Sequence, residues 1–128
     1  MFKRIDHVEI IPSDFETSLK FYTEVLGFTI KSRMSVPVPP LEEVAYLELG
    51  GTVLEFMRVP DAKKSTDPGP WITGYGKIAL EVENMDKAIE YLASKGVVVT
   101  WGPMNIGPTT RRAEIQDPDG FSIELRQW

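Results

Sequence analysis

Apolar and polar residues alternate from position 5 to 11. Val8 and Ile10 point one way and Ile5, His7, Glu9 and Ile11 the other, which is the period of a strand with a core face and a mixed face. Pro12-Ser13-Asp14 then offers a turn and an N-cap. Beyond it Phe15, Leu19, Tyr22 and Leu26 recur at helical spacing as one apolar stripe, and Gly27 stands where a helix ends in the left-handed conformation. Residues 28–34 read as a strand. The stretch Val36-Pro37-Val38-Pro39-Pro40 should not continue it and is expected to be a stiff connection or a flap. Residues 44–49 and 52–59, joined by Gly50-Gly51, predict a hairpin. The order is β-α-β-β-β.

The same order returns after a stretch rich in Pro, Gly, Ser and Thr. Residues 77–82 predict a strand, and residues 85–95 a helix with Met85, Ile89 and Leu92 as its stripe and Gly96 at its end. Residues 97–100 read as a strand. Residues 111–116 and 121–126 form a second hairpin across Asp117-Pro118-Asp119-Gly120. The segment 101–109, with two glycines and two prolines, is expected to be a mobile or ligand-contacting loop.

The two halves are repeats of each other. At a spacing of 70 residues His7 aligns with Lys77, Phe15 with Met85 and Leu19 with Ile89, and at a spacing of 69 Gly51 aligns with Gly120 and Glu55 with Glu124. The organisation expected is one domain over 1–128. It comprises a first βαβββ module (1–60), a linker (61–76) and a second module (77–128). In the last strand Phe121, Ile123 and Leu125 should face the core, leaving Ser122, Glu124 and Arg126 opposite. In residues 52–59, Leu54 and Phe56 face the core and Glu55 does not. His7, Glu55, Lys77 and Glu124 therefore occupy equivalent non-core places. They would converge on one cavity if each half curls its sheet around that face.

Composition narrows the chemistry. A net charge of −5 gives no basic footprint for nucleic acid, and no apolar run reaches the length of a membrane span. No secretory leader is evident, so a cytoplasmic setting is expected. With no cysteine and a single histidine, thiolate sites and paired-histidine sites within one chain are excluded. Carboxylates, one imidazole, lysine and arginine remain.

The stretches Ile5-Asp6-His7-Val8, Phe21-Tyr22-Thr23-Glu24-Val25-Leu26-Gly27-Phe28, Thr52-Val53-Leu54-Glu55-Phe56 and Asp117-Pro118-Asp119-Gly120-Phe121-Ser122-Ile123-Glu124-Leu125 carry a resemblance. Together, in that order, they make the sequence resemble the vicinal oxygen chelate superfamily. That superfamily includes glyoxalase I, methylmalonyl-CoA epimerase, extradiol dioxygenases, fosfomycin-resistance enzymes and bleomycin-binding proteins. The resemblance implies an α+β fold of two βαβββ modules forming an open mixed-sheet barrel around a central cavity that holds a divalent metal. It also implies His7, Glu55 and Glu124 as ligands, with Glu124 moving a proton in the glyoxalase-like manner.

The fourth ligand place falls on Lys77, where metal-binding members usually have histidine. A protonated lysine has no lone pair to donate, and nearby carboxylates would keep it charged. Two readings therefore stay open. One is a metal-dependent lyase or isomerase (Ni, Co, Zn, Mn or Fe) acting on a small carbonyl or thioester substrate. The other is a metal-free small-molecule binder in which Lys77 replaces the cation by pairing with Glu55 or Glu124. Lacking a second histidine, the chain departs from the extradiol dioxygenase pattern. Lys77 could also hold a substrate oxygen or act as a base. Arg126, one of Arg111 and Arg112, and the loop tryptophans Trp71 and Trp101 are candidate substrate contacts. Of these, Arg126, Arg111 and Trp101 are taken as the expected substrate contacts. A homodimer is the expected assembly, with a small molecule as the expected partner.

Overall fold

The computed structural model describes residues 1–64 and 73–128, which fall into two compact units, Met1–Ser65 and Thr66–Trp128. In chain order the first contains β1 (Val8–Ile10), α1 (Phe15–Lys20) running into a π-helical turn (Phe21–Val25), β2 (Thr29–Val38), β3 (Leu41–Leu49) and β4 (Thr52–Arg58). The second contains β5 (Ile78–Glu81), α2 (Met85–Ser94), β6 (Trp101–Asn105), β7 (Arg111–Gln116) and β8 (Ser122–Gln127). Each unit is thus a βαβββ module. Trp71 and the middle of the expected linker lie outside the described residues.

Each module builds one open, mixed, four-stranded sheet, in the orders β1-β4-β3-β2 and β5-β8-β7-β6. The first strand runs parallel to the last, and the other neighbours are antiparallel. The hairpin registers follow from the turns. Gly50 and Gly51, both at positive φ, close β3 onto β4 with Leu49 opposite Thr52. In the second module Asp117 accepts the amide hydrogens of Asp119 and Phe121 across a turn that ends on Gly120.

The core of each module lies between its helix and one face of its sheet. Phe15, Leu19, Tyr22, Phe28, Ala45, Leu47, Leu54 and Phe56 are buried in the first, and Met85, Leu92, Ala113, Ile115, Ile123 and Leu125 in the second. Asp14 and Asn84 cap the two helices by accepting the amides of Thr17 and Lys87. The helix-to-sheet tie is also repeated. In the first module Arg58 stacks on Phe15 and pairs with Glu16 and Glu43, while in the second Arg111 pairs with Asp86 at 2.9 Å.

Four expectations need correction. β2 does not stop before the prolines but runs on through Pro37 to Val38. It is an edge strand, so Pro37 costs no ladder bond to an inner neighbour, and a register shift between Ser35 and Val38 absorbs the misfit. The Val36–Pro40 stretch is consequently strand and turn rather than a flap. The third strand of the second module is not 97–100 but β6, inside the expected loop. Its pairing with β7 takes a bulge between Trp101 and Met104, at Gly102-Pro103. There Gly102 has φ +76°, and a β-carbon would lie 2.7 Å from the Arg112 carbonyl oxygen. Phe121 precedes β8 and is exposed, so only Ile123 and Leu125 of the expected trio are core. Val8 is 40% exposed on the edge strand β1 instead of packing inward. Among the described residues no helix is long and apolar enough to cross a membrane.

Candidate functional site

In each module the face opposite the helix carries the candidate site groups. In the first, Glu55 is buried in β4, and the hairpin register sets Tyr46 directly opposite it. The Tyr46 hydroxyl donates to Glu55 Oε1 at 2.8 Å, and this bond to a carboxylate pushes the phenol's pKa up. His7 immediately precedes β1, the parallel neighbour of β4, and its Nε2 lies 2.9 Å from Glu55 Oε2. Nδ1 lies 3.0 Å from Asp6 Oδ2. Alternation would send Asp6 and His7 to opposite sides, but regular strand begins only at Val8, so the two can meet. Glu9 Oε1 stands 3.9 Å from His7 Nε2.

Both imidazole nitrogens therefore face carboxylates, an arrangement that favours the charged imidazolium. The Asp6 hydrogen bond raises its pKa above 6.5. Burial opposes the rise, and the charges of Glu55, Asp6 and Glu9 add to it. Asp6 is held below the ordinary aspartate value, chiefly by the same hydrogen bond.

This group fits a divalent cation. Donor atoms of His7, Glu9 and Glu55 lie within 4.8 Å of one another. Two donors on one ion at about 2.1 Å each stand no more than about 4.2 Å apart, so a small closure brings the three onto a common centre. One imidazole and two carboxylates are borderline-to-hard donors, suited to Mn, Fe(II), Co, Ni or Zn. Asp6 and Tyr46 orient the His7 ring and the Glu55 carboxylate from behind, as outer-shell partners do.

The second module has the same positions with different chemistry. Lys77 precedes β5 as His7 precedes β1, and Glu124 is buried in β8 as Glu55 is in β4. Within the second module Lys77 pairs with Glu114 rather than with Glu124. Its Nζ donates to Glu114 Oε1 at 2.6 Å, because Glu114 stands opposite Glu124 in the β7–β8 register and reaches the lysine first. Glu114 also accepts from the Ser122 hydroxyl at 2.8 Å and from Arg112. Burial alone would raise the Glu114 carboxyl, but Lys77, Ser122 and Arg112 together hold it below its ordinary value. Glu124 Oε1 accepts from Arg126 Nε at 2.8 Å and from Arg126 Nη2, while Oε2 lies 3.0 Å from Arg112 Nε. Arg112 stacks on Trp101 at 5.0 Å and Arg126 on Trp128 at 5.1 Å.

The Glyoxalase/Bleomycin resistance protein/Dioxygenase superfamily model matches residues 4–125. The chain belongs to this superfamily. It is 37% identical to a lactoylglutathione lyase of Neisseria meningitidis serogroup A, covering 97% of this chain and 90% of that one. It is 33% identical to a lactoylglutathione lyase of Escherichia coli O157:H7 over 95% of this chain and 90% of that one. Among solved structures it is similar to a glyoxalase family protein from Enterococcus faecalis, at TM-score 0.83 and 27% identity over 98% of both chains. It is also similar to TnmS3, an antibiotic binding protein from Streptomyces sp. CB03234, at TM-score 0.66 and 26% identity over 98% of both. The protein is therefore a glyoxalase-like member of the vicinal oxygen chelate group.

Within the modules of this superfamily member, the sequence-predicted residues divide cleanly. His7 and Glu55 meet in the first. Lys77, Glu124, Arg126 and Trp101 lie on one sheet face of the second, whereas Arg111 points to α2 and Asp86, leaving Arg112 as the arginine beside Glu124. Asp6, Glu9, Tyr46 and Glu114 are not singled out as site residues by sequence reading, and Arg112 enters it only as the alternative to Arg111. Counting outward from each hairpin turn finds two of them, since those registers place Tyr46 against Glu55 and Glu114 against Glu124.

Proposed function

We propose that the protein is a divalent-metal-dependent lyase or isomerase acting on a small carbonyl or thioester substrate. The observation that carries this reading is the oriented pair His7–Glu55, with one atom of each held by Asp6 or Tyr46 and the other turned to a shared point. Relatives named lactoylglutathione lyase support the choice of substrate chemistry. His7 and Glu55 would hold the metal, which would supply Lewis-acid polarisation of substrate oxygens. Family resemblance gives Glu124 the proton-moving role. Both of its oxygens now face guanidinium groups, so taking up a proton requires that Arg126 or Arg112 release one of them. Arg126 and Trp101 then remain to contact substrate. The same reading takes the protein as a cytoplasmic homodimer, and the exposed apolar side chains of Phe2, Ile5 and Ile11 are consistent with an assembly contact.

A second reading is favoured by the second module. Lys77 is engaged by Glu114, and Glu124 by two arginines, as in a pocket that supplies its own positive charge and binds a small molecule without metal. Stripping the native chain with chelator and titrating Ni, Co, Mn and Zn by calorimetry separates the two. Binding of one metal per chain with metal-dependent turnover of a thioester supports the first reading. The second predicts no binding in the native chain, gain of binding in Lys77→His, and thermal stabilisation by a small ligand after full chelation.

The first reading also fixes a pH dependence. His7 has a raised pKa, so its charged form stabilises the metal-free fold below about pH 6.5, and that contribution is lost as pH rises through the folded value. Metal binding runs the other way, because Nε2 must shed its proton to ligate. Affinity should rise about tenfold per pH unit below the folded pKa of His7 and level off above it. Calorimetry in buffers of different ionisation enthalpy would read one proton released per metal on the rising limb.

A further inference from the structure

We infer that Arg112 and Arg126 form a clamp for a carboxylate carried by the ligand, and that Glu124 occupies this clamp until the ligand's carboxylate replaces it. The inference deepens the reading above by naming the substrate class: a small carbonyl or thioester compound that also bears a free carboxylate. Its binding step uses no metal.

The internal repeat carries the argument. Two residues from the Tyr46–Glu55 cross-strand pair, the first module sets Val44 directly opposite Met57. Two residues from the equivalent Glu114–Glu124 pair, the second module sets Arg112 directly opposite Arg126. The fold therefore closes this part of the sheet with an apolar pair and needs no charge there. Like charges directly opposite each other in an antiparallel pairing are unfavourable, so two guanidiniums in this place call for an anion between them. In the free protein Glu124 supplies it. Its Oε1 accepts from Nε and Nη2 of Arg126, and its Oε2 lies 3.0 Å from Arg112 Nε. What the arginines grip is a carboxylate, one oxygen to each, and that is the group a ligand has to present.

The fit of this occupant is incomplete. Arg112 Nε is buried, and its approach to Glu124 lacks the alignment of a hydrogen bond. A buried donor in that state carries its desolvation cost uncompensated. Glu124 is tethered to the same strand as Arg126 and cannot turn to serve both forks, a restraint that a carboxylate on a free ligand does not share. Glu114 is differently placed, since Lys77, Ser122 and Arg112 all donate to it. Among the described residues Glu124 is held by the two arginines alone, which makes it the carboxylate that can exchange. Trp101 and Trp128 stack on the guanidiniums at 5.0 and 5.1 Å, so the clamp keeps its shape when Glu124 leaves. The two arginine side chains are 28% and 25% exposed, within reach of a ligand. The exchange forms and breaks no covalent bond. It frees the Glu124 oxygens, whose release proton uptake requires, only when a carboxylate-bearing compound is in place.

The test is the affinity of the full-length chain, stripped with chelator, for levulinate, its methyl ester and inorganic phosphate. Binding is read by nuclear magnetic resonance from the Nε–H signals of Arg112 and Arg126. Levulinate should bind at least about tenfold more tightly than the ester and shift both signals. Arg126→Gln should lose about tenfold or more in affinity, and Arg126→Lys, which keeps the charge without the fork, should not restore it. Glu124→Gln should gain about tenfold or more, because the charged competitor is gone. A folding defect cannot mimic that gain. Equal affinity for acid and ester, no binding of either, or no gain in Glu124→Gln would overturn the clamp. Phosphate binding as tightly as levulinate through the same arginines would overturn its assignment to a carboxylate. Metal titration of the same preparation decides the metal-dependent reading separately. A chain that binds metal but not levulinate loses the clamp alone, and one that binds levulinate but no metal keeps the clamp and loses that reading.

Discussion

Under the proposed metal-dependent reading, Glu55→Gln is expected to abolish metal binding and turnover together while leaving the thermal midpoint close to that of the native chain. The amide oxygen can still accept from Tyr46, so the hydrogen bond that orients the side chain persists. What changes is the atom that faces His7 Nε2 at 2.9 Å: a carboxylate oxygen becomes an amide nitrogen, which has no lone pair for a cation. The formal charge of the donor group also falls by one, weakening its attraction for a divalent ion. A loss of about 100-fold or more in affinity follows, and turnover should fall with metal occupancy. Calorimetry, a thioester assay and a melt on the same preparation check this. A variant that binds metal as the native chain does would remove Glu55 from the ligand set.

The next residue behaves in the opposite way. Phe56→Ala should cost about 3–5 kcal/mol of stability and lower the melting temperature by about 10 °C or more, with no direct effect on any donor atom. Phe56 is fully buried and packs edge-to-face on Tyr22, their ring centroids 4.9 Å apart at 78°. Its neighbours Ala45, Leu47 and Leu54 are held by the sheet and cannot collapse far into the space left, so a cavity term adds to the lost transfer energy. Urea unfolding followed by circular dichroism reads the loss directly. A change below about 1 kcal/mol would mean that the first module's core does not depend on this contact. Two adjacent residues of β4 thus divide chemistry from stability, because successive side chains of a strand point to opposite faces.

That alternation is also why so much was legible in the sequence. The duplicated βαβββ order, both hairpins and the core face of β4 follow from periodicity and from glycines at the turns. The losses are equally physical. Pro37 reads as a stop, yet its cost depends on whether the strand has a neighbour on that side, which no local pattern reveals. The strand β6 was hidden because Gly102-Pro103 looks like loop composition, whereas here it forms the bulge of a pairing whose ladder already begins with the Thr100 amide on the Glu114 carbonyl. The helix stripe was correct through Tyr22, but the π-helical turn that follows was not indicated by spacing alone.

At the site, His7, Glu55 and Glu124 were readable from the repeat. The partner of Lys77 was not, since choosing between Glu114 and Glu124 requires the register of β7 on β8. Asp6 escaped notice because alternation was extended one turn of pleat beyond where the strand begins.

The parallel pairing of β1 with β4 has a kinetic meaning as well. The hairpins of each module join neighbours in the chain and close short loops, while β1 meets β4 only after the rest of the module has been spanned. Loop-closure entropy makes that the costly contact and the one that slows folding. His7 and Glu55 stand on the two sides of it. A newly made chain therefore has no assembled His7–Glu55 pair until β1 docks on β4, so the geometry of the candidate site is a late product of folding the first module.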